Sequence, residues 1–261
     1  MVLQELTEYL ESIAPIQLQE SYDNSGLIVG NAAMEITGVL CSLDCTEAVV
    51  QEAMELKCNV IVSHHPILFY GLKKINGNHY VEKVLIKAIK NDIALYAIHT
   101  NLDNVLTHGV NEKIAQRIGL KNLEILKSKE NQVGIGAGIL GAFKKPVSSY
   151  DFFDNLKVRM QCQTIRHSAI VKPTIQRIAI CGGAGSFLIQ EAIAKGAELF
   201  LTADLKYHEF FEANGQIILA DIGHFESEQF TIELLYGLIS QKFRNFATHC
   251  TKINTNPIQY Y

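Results

Sequence analysis

The stretch CNVIVSHHP, residues 58–66, decides how the chain is read. Val60, Ile61 and Val62 form a β-branched run that suits a strand buried on both faces. The run stops at two adjacent histidines and then at Pro66, which cannot extend a strand's hydrogen bonding. Neighbouring strand residues point to opposite faces, so His64 and His65 cannot share one core face. The strand therefore ends at this point, and two rings diverge from its tip toward something beyond it.

Similar runs recur along the chain. ITGVLCSLD (36–44), IALYAIH (93–99), RIAICGG (177–183), ELFLTADL (198–205) and QIILADIGH (216–224) read as strands. Amphipathic spacing predicts helices over 2–14, 46–58, 79–92, 109–120, 149–160, 186–197 and 207–215, with a last long one over 227–243. Thr46 is a suitable cap for the second of these. Residues 16–35 read as loop, 132–143 as a glycine-rich strand and 169–171 as a short strand. Apolar strands alternating with amphipathic helices imply parallel βαβ units, an α/β fold with mostly parallel sheets. A composition shift over 121–131 suggests a first α/β domain over 1–125 and a second α/β half over 126–261. The C-terminal part of the second half is expected to pack back on the first.

The chain has 261 residues, enough for a large core without staples, and 48% of them are hydrophobic. Its net charge of −4 gives no basic excess for neutralising phosphates, which argues against nucleic-acid binding without excluding a local patch. Six cysteines lie scattered through apolar segments with no CxxC pair, so a cytoplasmic protein with reduced thiols is expected. Cys41 and Cys45 in CSLDC read as small buried hydrophobes in preference to metal ligands. No signal peptide and no membrane span are visible.

Polar residues collect where the strands stop. One ends in His64-His65, another in His99 with Asp103 four residues on, a third in His224 with Glu228 four residues on, and FLTADL is followed by His208. In a parallel sheet these carboxyl ends share one edge, where α/β proteins bind ligands. Imidazole and carboxylate together suit Zn, Mn, Fe, Co or Ni. Two rings at one strand tip fit two cations about 3.5–4 Å apart, bridged by Asp103, Glu228 or a water. His79, His108, His167 and His249 lack this context and read as structural or solvated. CGGAGS (181–186) is a tight turn or an anion cradle, and DNSG (23–26) is an Asx-type turn or a site loop.

In the order SYDNSGLIVG, VSHHPILF, HTNLDN, CGGAGS, LTADLKYHE and DIGHFESE, the chain resembles the GTP cyclohydrolase 1 type 2-like proteins, also called Nif-three-like. The resemblance runs from about residue 1 to 250. It implies two interlinked α/β domains with the metal site at strand carboxyl ends between them. By position, the implied ligands are His64, His65, Asp103, His224 and Glu228, holding two divalent cations per chain, with His99 as a near neighbour. It also implies a toroidal homohexamer. The family usually has Gly where this chain has Ala203.

Three functions follow as expectations. The first is a metal-dependent hydrolase of cyclohydrolase or phosphoesterase type, acting on a small-molecule or nucleotide-like substrate, with His208 or His99 moving the proton. The second is a non-catalytic metal-binding, delivery or partner-regulating protein that uses the same ligands. The third, disfavoured by charge, is a nucleic-acid-binding ring.

Overall fold

The structure is a computed structural model that describes residues 1–129 and 132–261. Chain contacts divide it into two compact units, Met1–Leu102 with Thr231–Gln259, and Asp103–Phe230 with Tyr260–Tyr261. The sequence boundary was expected over 121–131. Residues 121–128 of that stretch instead form a strand of the second unit, and Glu130 and Asn131 lie outside the described residues.

The first unit opens with α1 (Leu3–Ile13), β1 (Gly26–Val29), β2 (Gly38–Ser42), α2 (Glu47–Glu55), β3 (Val60–Ser63), α3 (Tyr80–Lys90), β4 (Ala94–Ala97) and the short α4 (Thr100–Asp103), whose last residue begins the second unit. The second unit continues with α5 (Val110–Ile118), β5 (Lys121–Ser128), β6 (Gly136–Ser148), α6 (Ser149–Met160), β7 (Arg166–His167), β8 (Thr174–Ala184), α7 (Ile189–Ala194), β9 (Leu199–Ala203), β10 (Ile218–Asp221) and α8 (His224–Glu228). Then α9 (Thr231–Lys242) and β11 (Ala247–Cys250) return the chain to the first unit.

The first sheet has strand order β1-β4-β3-β2-β11. Its four neighbours β4, β3, β2 and β11 run parallel, and β1 is added antiparallel at the edge. Every residue of β2, β3 and β4 is buried, which is why these strands read as unbroken apolar runs. Leu40, Val49, Ile61, Val84, Leu85 and Leu95 pack one of its faces against α2 and α3. Thr46 caps α2 by accepting the Val49 N–H.

The second sheet has order β5-β6-β8-β9-β10-β7 and is mixed. Only β8, β9 and β10 are parallel, while β5, β6 and β7 pair antiparallel. Its core gathers Leu126, Leu140, Leu188, Ile189, Phe200 and Leu219. Residues 169–171, expected as a strand, are not one; the pairing residues are Arg166 and His167. The helix expected over 227–243 is two helices, α8 and α9. Phe230 sits at the break, buried beneath the Arg117 guanidinium at 3.4 Å. No helix among the described residues is long and apolar enough to cross a membrane.

Candidate metal centre

The first unit gathers three imidazoles. β3 hands over to His64 and His65, whose backbone N–H groups donate to Ser42 and Leu43 carbonyls at 3.2 and 2.9 Å and so extend the pairing with β2. Ser63 Oγ donates to the His65 carbonyl at 2.8 Å and closes the turn before Pro66. The two rings do not diverge as expected. Their centroids are 4.9 Å apart, because the chain leaves extended geometry after Ser63. His99, two residues past the end of β4, sets its ring 5.2 Å from both. One ring nitrogen of each of the three lies within 4.8 Å of the others.

Each of these rings is held by its Nδ1. That of His64 faces the Ile98 carbonyl at 2.9 Å, that of His65 faces Asp44 Oδ1 at 2.8 Å, and that of His99 faces Asp23 Oδ1 at 2.8 Å. A carbonyl or an ionised carboxylate oxygen only accepts, so each Nδ1 carries the proton. In the neutral ring, Nε2 then keeps its lone pair, the tautomer a metal-ligating histidine uses. Asp23 is the most enclosed of the acids: its side chain has no exposure. Its Oδ2 accepts from the Thr100 N–H at 3.0 Å, the Thr100 hydroxyl and Ser25 Oγ. Burial would raise its pKa, but hydrogen bonds from His99 and Thr100 and the His99 charge hold it well below the carboxylate range. DNSG is therefore the loop that fixes His99, with Asp23 Oδ1 also accepting the N–H of the adjacent Asn24.

The second unit gathers His224, Glu228 and Asp103. α8 opens at Gly223, whose φ of 92° turns the chain off β10, and the i,i+4 spacing sets His224 Nε2 3.0 Å from Glu228 Oε2. An oxygen of Asp103 and one of Glu228 lie within 4.8 Å of each other. His224 Nδ1 meets Asp204 Oδ2 at 2.8 Å; Asp204 itself adopts φ 57° directly after β9. Burial would lower the His224 pKa, but the Glu228 charge and the hydrogen bonds of both acids raise it.

The CGGAGS glycines serve this corner. Gly183 has φ +63°, and a Cβ there would stand 2.4 Å from Glu228 Oε1. Its N–H donates to Ser227 Oγ at 2.9 Å, which in turn donates to the His224 carbonyl at 2.8 Å. Asn111 links the Gly182 N–H, which it accepts at 2.9 Å, to the Asp103 carbonyl, to which it donates at 3.1 Å. Tight approach to the acid, a role the sequence did not reveal, accounts for Gly183.

His208 stands on the exposed 3-10 turn Tyr207–Ala213, its ring against Tyr207 and Phe211. It joins none of the metal-capable groups among the described residues. Cys41 and Cys45 are core residues; burial pushes the Cys45 thiol up to about 12 and the Cys41 thiol well above its ordinary value. Neither offers a thiolate. The sequence did not single out Asp23, Asp44 or Asp204, since nothing in an ordinary loop aspartate states which ring it will meet. Imidazole and carboxylate donors are the ligand chemistry of a divalent cation in both units, and in the first unit the ring tautomers are already set for it.

The protein from Clostridium acetobutylicum called GTP cyclohydrolase 1 type 2 homolog is 32% identical over 255 residues, covering 97% of this chain and 93% of that protein. The protein of the same name from Campylobacter jejuni is 33% identical, with full coverage of both. Among solved structures, the Staphylococcus aureus hypothetical protein SA1388 superposes with a TM-score of 0.92 at 31% identity, covering 100% of this chain and 99% of that one. The family model described as Duf34/NIF3 (NGG1p interacting factor 3) matches residues 1–257, and the chain belongs to that family.

Proposed function

We propose that the chain holds two divalent cations on His64, His65, Asp103, His224 and Glu228 and acts as a metal-dependent hydrolase. The observation that carries this reading is the fixing of Nδ1 on each imidazole, by Ile98, Asp44 and Asp204: at His64 and His65 this leaves Nε2 as the ligand atom, and at His224 a cation would take the place of the Nε2 proton that faces Glu228. Bound cations supply Lewis acidity toward a carbonyl, imine or phosphoryl centre and acidify water. Glu228 Oε2 lies 3.0 Å from His224 Nε2, and a Glu228 oxygen lies within 4.8 Å of one of Asp103, so a cation held here would draw on all three. His99, oriented by Asp23 and set beside the His64 and His65 rings, is the proton carrier with support from geometry. His208, in its exposed aromatic cluster, is the other expected carrier.

The name shared by the relatives suggests a ring-opening or phosphoester substrate of nucleotide type. Exposed apolar side chains over 69–80, among them Tyr70, Ile75 and Tyr80, support a homo-oligomer, a hexamer by resemblance. The test is elemental analysis of the purified protein, then turnover assays on nucleotides, phosphodiesters and cyclic amides with and without added cation. Two bound cations with turnover lost in His65→Ala support the reading. A protein that stays metal-free under every loading condition sinks it. Bound cation without turnover on any of these classes leaves a metal-carrying protein in place of an enzyme.

A further inference from the structure

We infer that the C-terminal tail is a working part of the metal centre: Thr255 positions Asp44, and Asp44 positions His65. This rests on His65 being a ligand, as proposed above. The topology brings the tail there. β11 runs parallel to β2 with Cys250 opposite Cys41, so both strands deliver their continuations to the same sheet edge. Beyond β2 lies Asp44, and beyond β11 lies the tail.

Residues 251–261 form no helix or strand, yet side chains fix their path. The Thr251 N–H donates to the Cys41 carbonyl at 2.9 Å, continuing the pairing. Glu52 then accepts both the Thr251 hydroxyl and the Lys252 N–H. Ile253 packs against the first core. Asn254 and Asn256 each accept the N–H two residues on, at 2.9 and 3.0 Å, giving two successive Asx turns around Thr255. Farther on, the Tyr260 hydroxyl lies close to Gly223, at the start of α8. Held this way, Thr255 Oγ1 donates to Asp44 Oδ2 at 2.6 Å, while Asp44 Oδ1 accepts the hydrogen bond of the His65 Nδ1–H at 2.8 Å. The two contacts use different oxygens of the carboxylate, so the hydroxyl helps to set the plane in which Oδ1 meets the ring. A tail needed only for packing requires Ile253 and the Glu52 contacts, but no hydroxyl aimed at the acid that orients His65.

The test compares Thr255→Val, Thr255→Ser and Asp44→Asn in the full chain. Two readouts are used: Zn²⁺ affinity by competition with a chromophoric chelator, and the His65 tautomer in metal-free protein by ¹⁵N NMR of the imidazoles. Outer partners of metal-ligating histidines typically affect affinity by about 10–100-fold. Thr255→Val is expected to weaken Zn²⁺ binding about tenfold and to mix the His65 tautomers. Thr255→Ser should restore both, and Asp44→Asn should exceed the valine variant. Wild-type affinity and tautomer in Thr255→Val overturn the inference, as does equal loss in Thr255→Ser. If Thr255→Val does not fold, Thr255→Ala takes its place. If the wild type takes no Zn²⁺, the proposed function falls, and the tautomer of the metal-free protein still decides the role of Thr255.

Discussion

Replacing His65 with Ala removes a ligand atom, whereas replacing its orienting acid only loosens one. His65→Ala is therefore expected to weaken divalent-cation binding beyond the ~10–100-fold of an outer-partner loss, read by chelator competition. His79→Ala is the control: that histidine precedes α3, its ring against Tyr80, outside every metal-capable group described, and its loss should leave affinity unchanged. The thiols make a second prediction. Burial raises the pKa of Cys58 and Cys162 to about 11 and of Cys45 to about 12. The reactive thiolate is the form that burial disfavours, so at pH 8 only about one Cys45 thiol in ten thousand is ionised. At pH 8, with an unfolded thiol pKa of about 8.5, iodoacetamide should label Cys45 about three orders of magnitude, and Cys58 and Cys162 about two, more slowly in the native protein than in guanidinium. Fast native labelling would show that the core opens. The sign is fixed: raising the pH toward 12 speeds labelling of Cys45, and lowering it does not.

The β8–α8 corner depends on a glycine for space as well as for backbone freedom. Gly183→Ala puts a Cβ 2.4 Å from Glu228 Oε1 and also strains a left-handed residue by about 1–2 kcal/mol. Gly196→Ala shares the strain, at φ +70°, but meets nothing within 4 Å. Both variants should lose stability in a urea melt, and only Gly183→Ala should also lose cation affinity. Equal affinity in the two would separate the glycine from the ligand pair. The sequence carried part of this corner. β2, β3, β4, β9 and β10 were legible because a strand buried on both faces leaves an unbroken apolar run. The histidines at their ends were legible because a polar residue closing such a run has to be explained. β1 and β11 were not: these edge strands are only partly buried, and their pairing with β4 and β2 is a tertiary event. The antiparallel strands β5 and β6 made the second sheet mixed, and β5 lies in a stretch of ordinary polarity that read as a boundary. The acids that orient the rings escaped for the same reason. Asp23, Asp44 and Asp204 stand 76, 21 and 20 residues from the histidines they hold. No local pattern spans such distances.

The proposed ligands come from separate lengths of chain: His64 and His65 from the first unit, and Asp103, His224 and Glu228 from the second. Cations bound as proposed would act on the stability of the folded chain, since the unfolded chain has no such site to offer. A ligand at about a hundred times its Kd adds about 2.7 kcal/mol to the folded state. For a chain of this size each kcal/mol moves Tm by about 2–4 °C. Saturating Zn²⁺ or Mn²⁺ should therefore raise Tm by roughly 5–10 °C over chelator-stripped protein, and chelator should reverse the rise. The decisive comparison uses one variant from each unit. If the ligands share the same cations, His65→Ala and Glu228→Gln should each cut most of the rise, though the two residues lie 163 positions apart in sequence. A rise that survives in both variants would place the cation on other groups, and the five-ligand assignment would fall. A rise lost in one and kept in the other would confine the cation to a single unit.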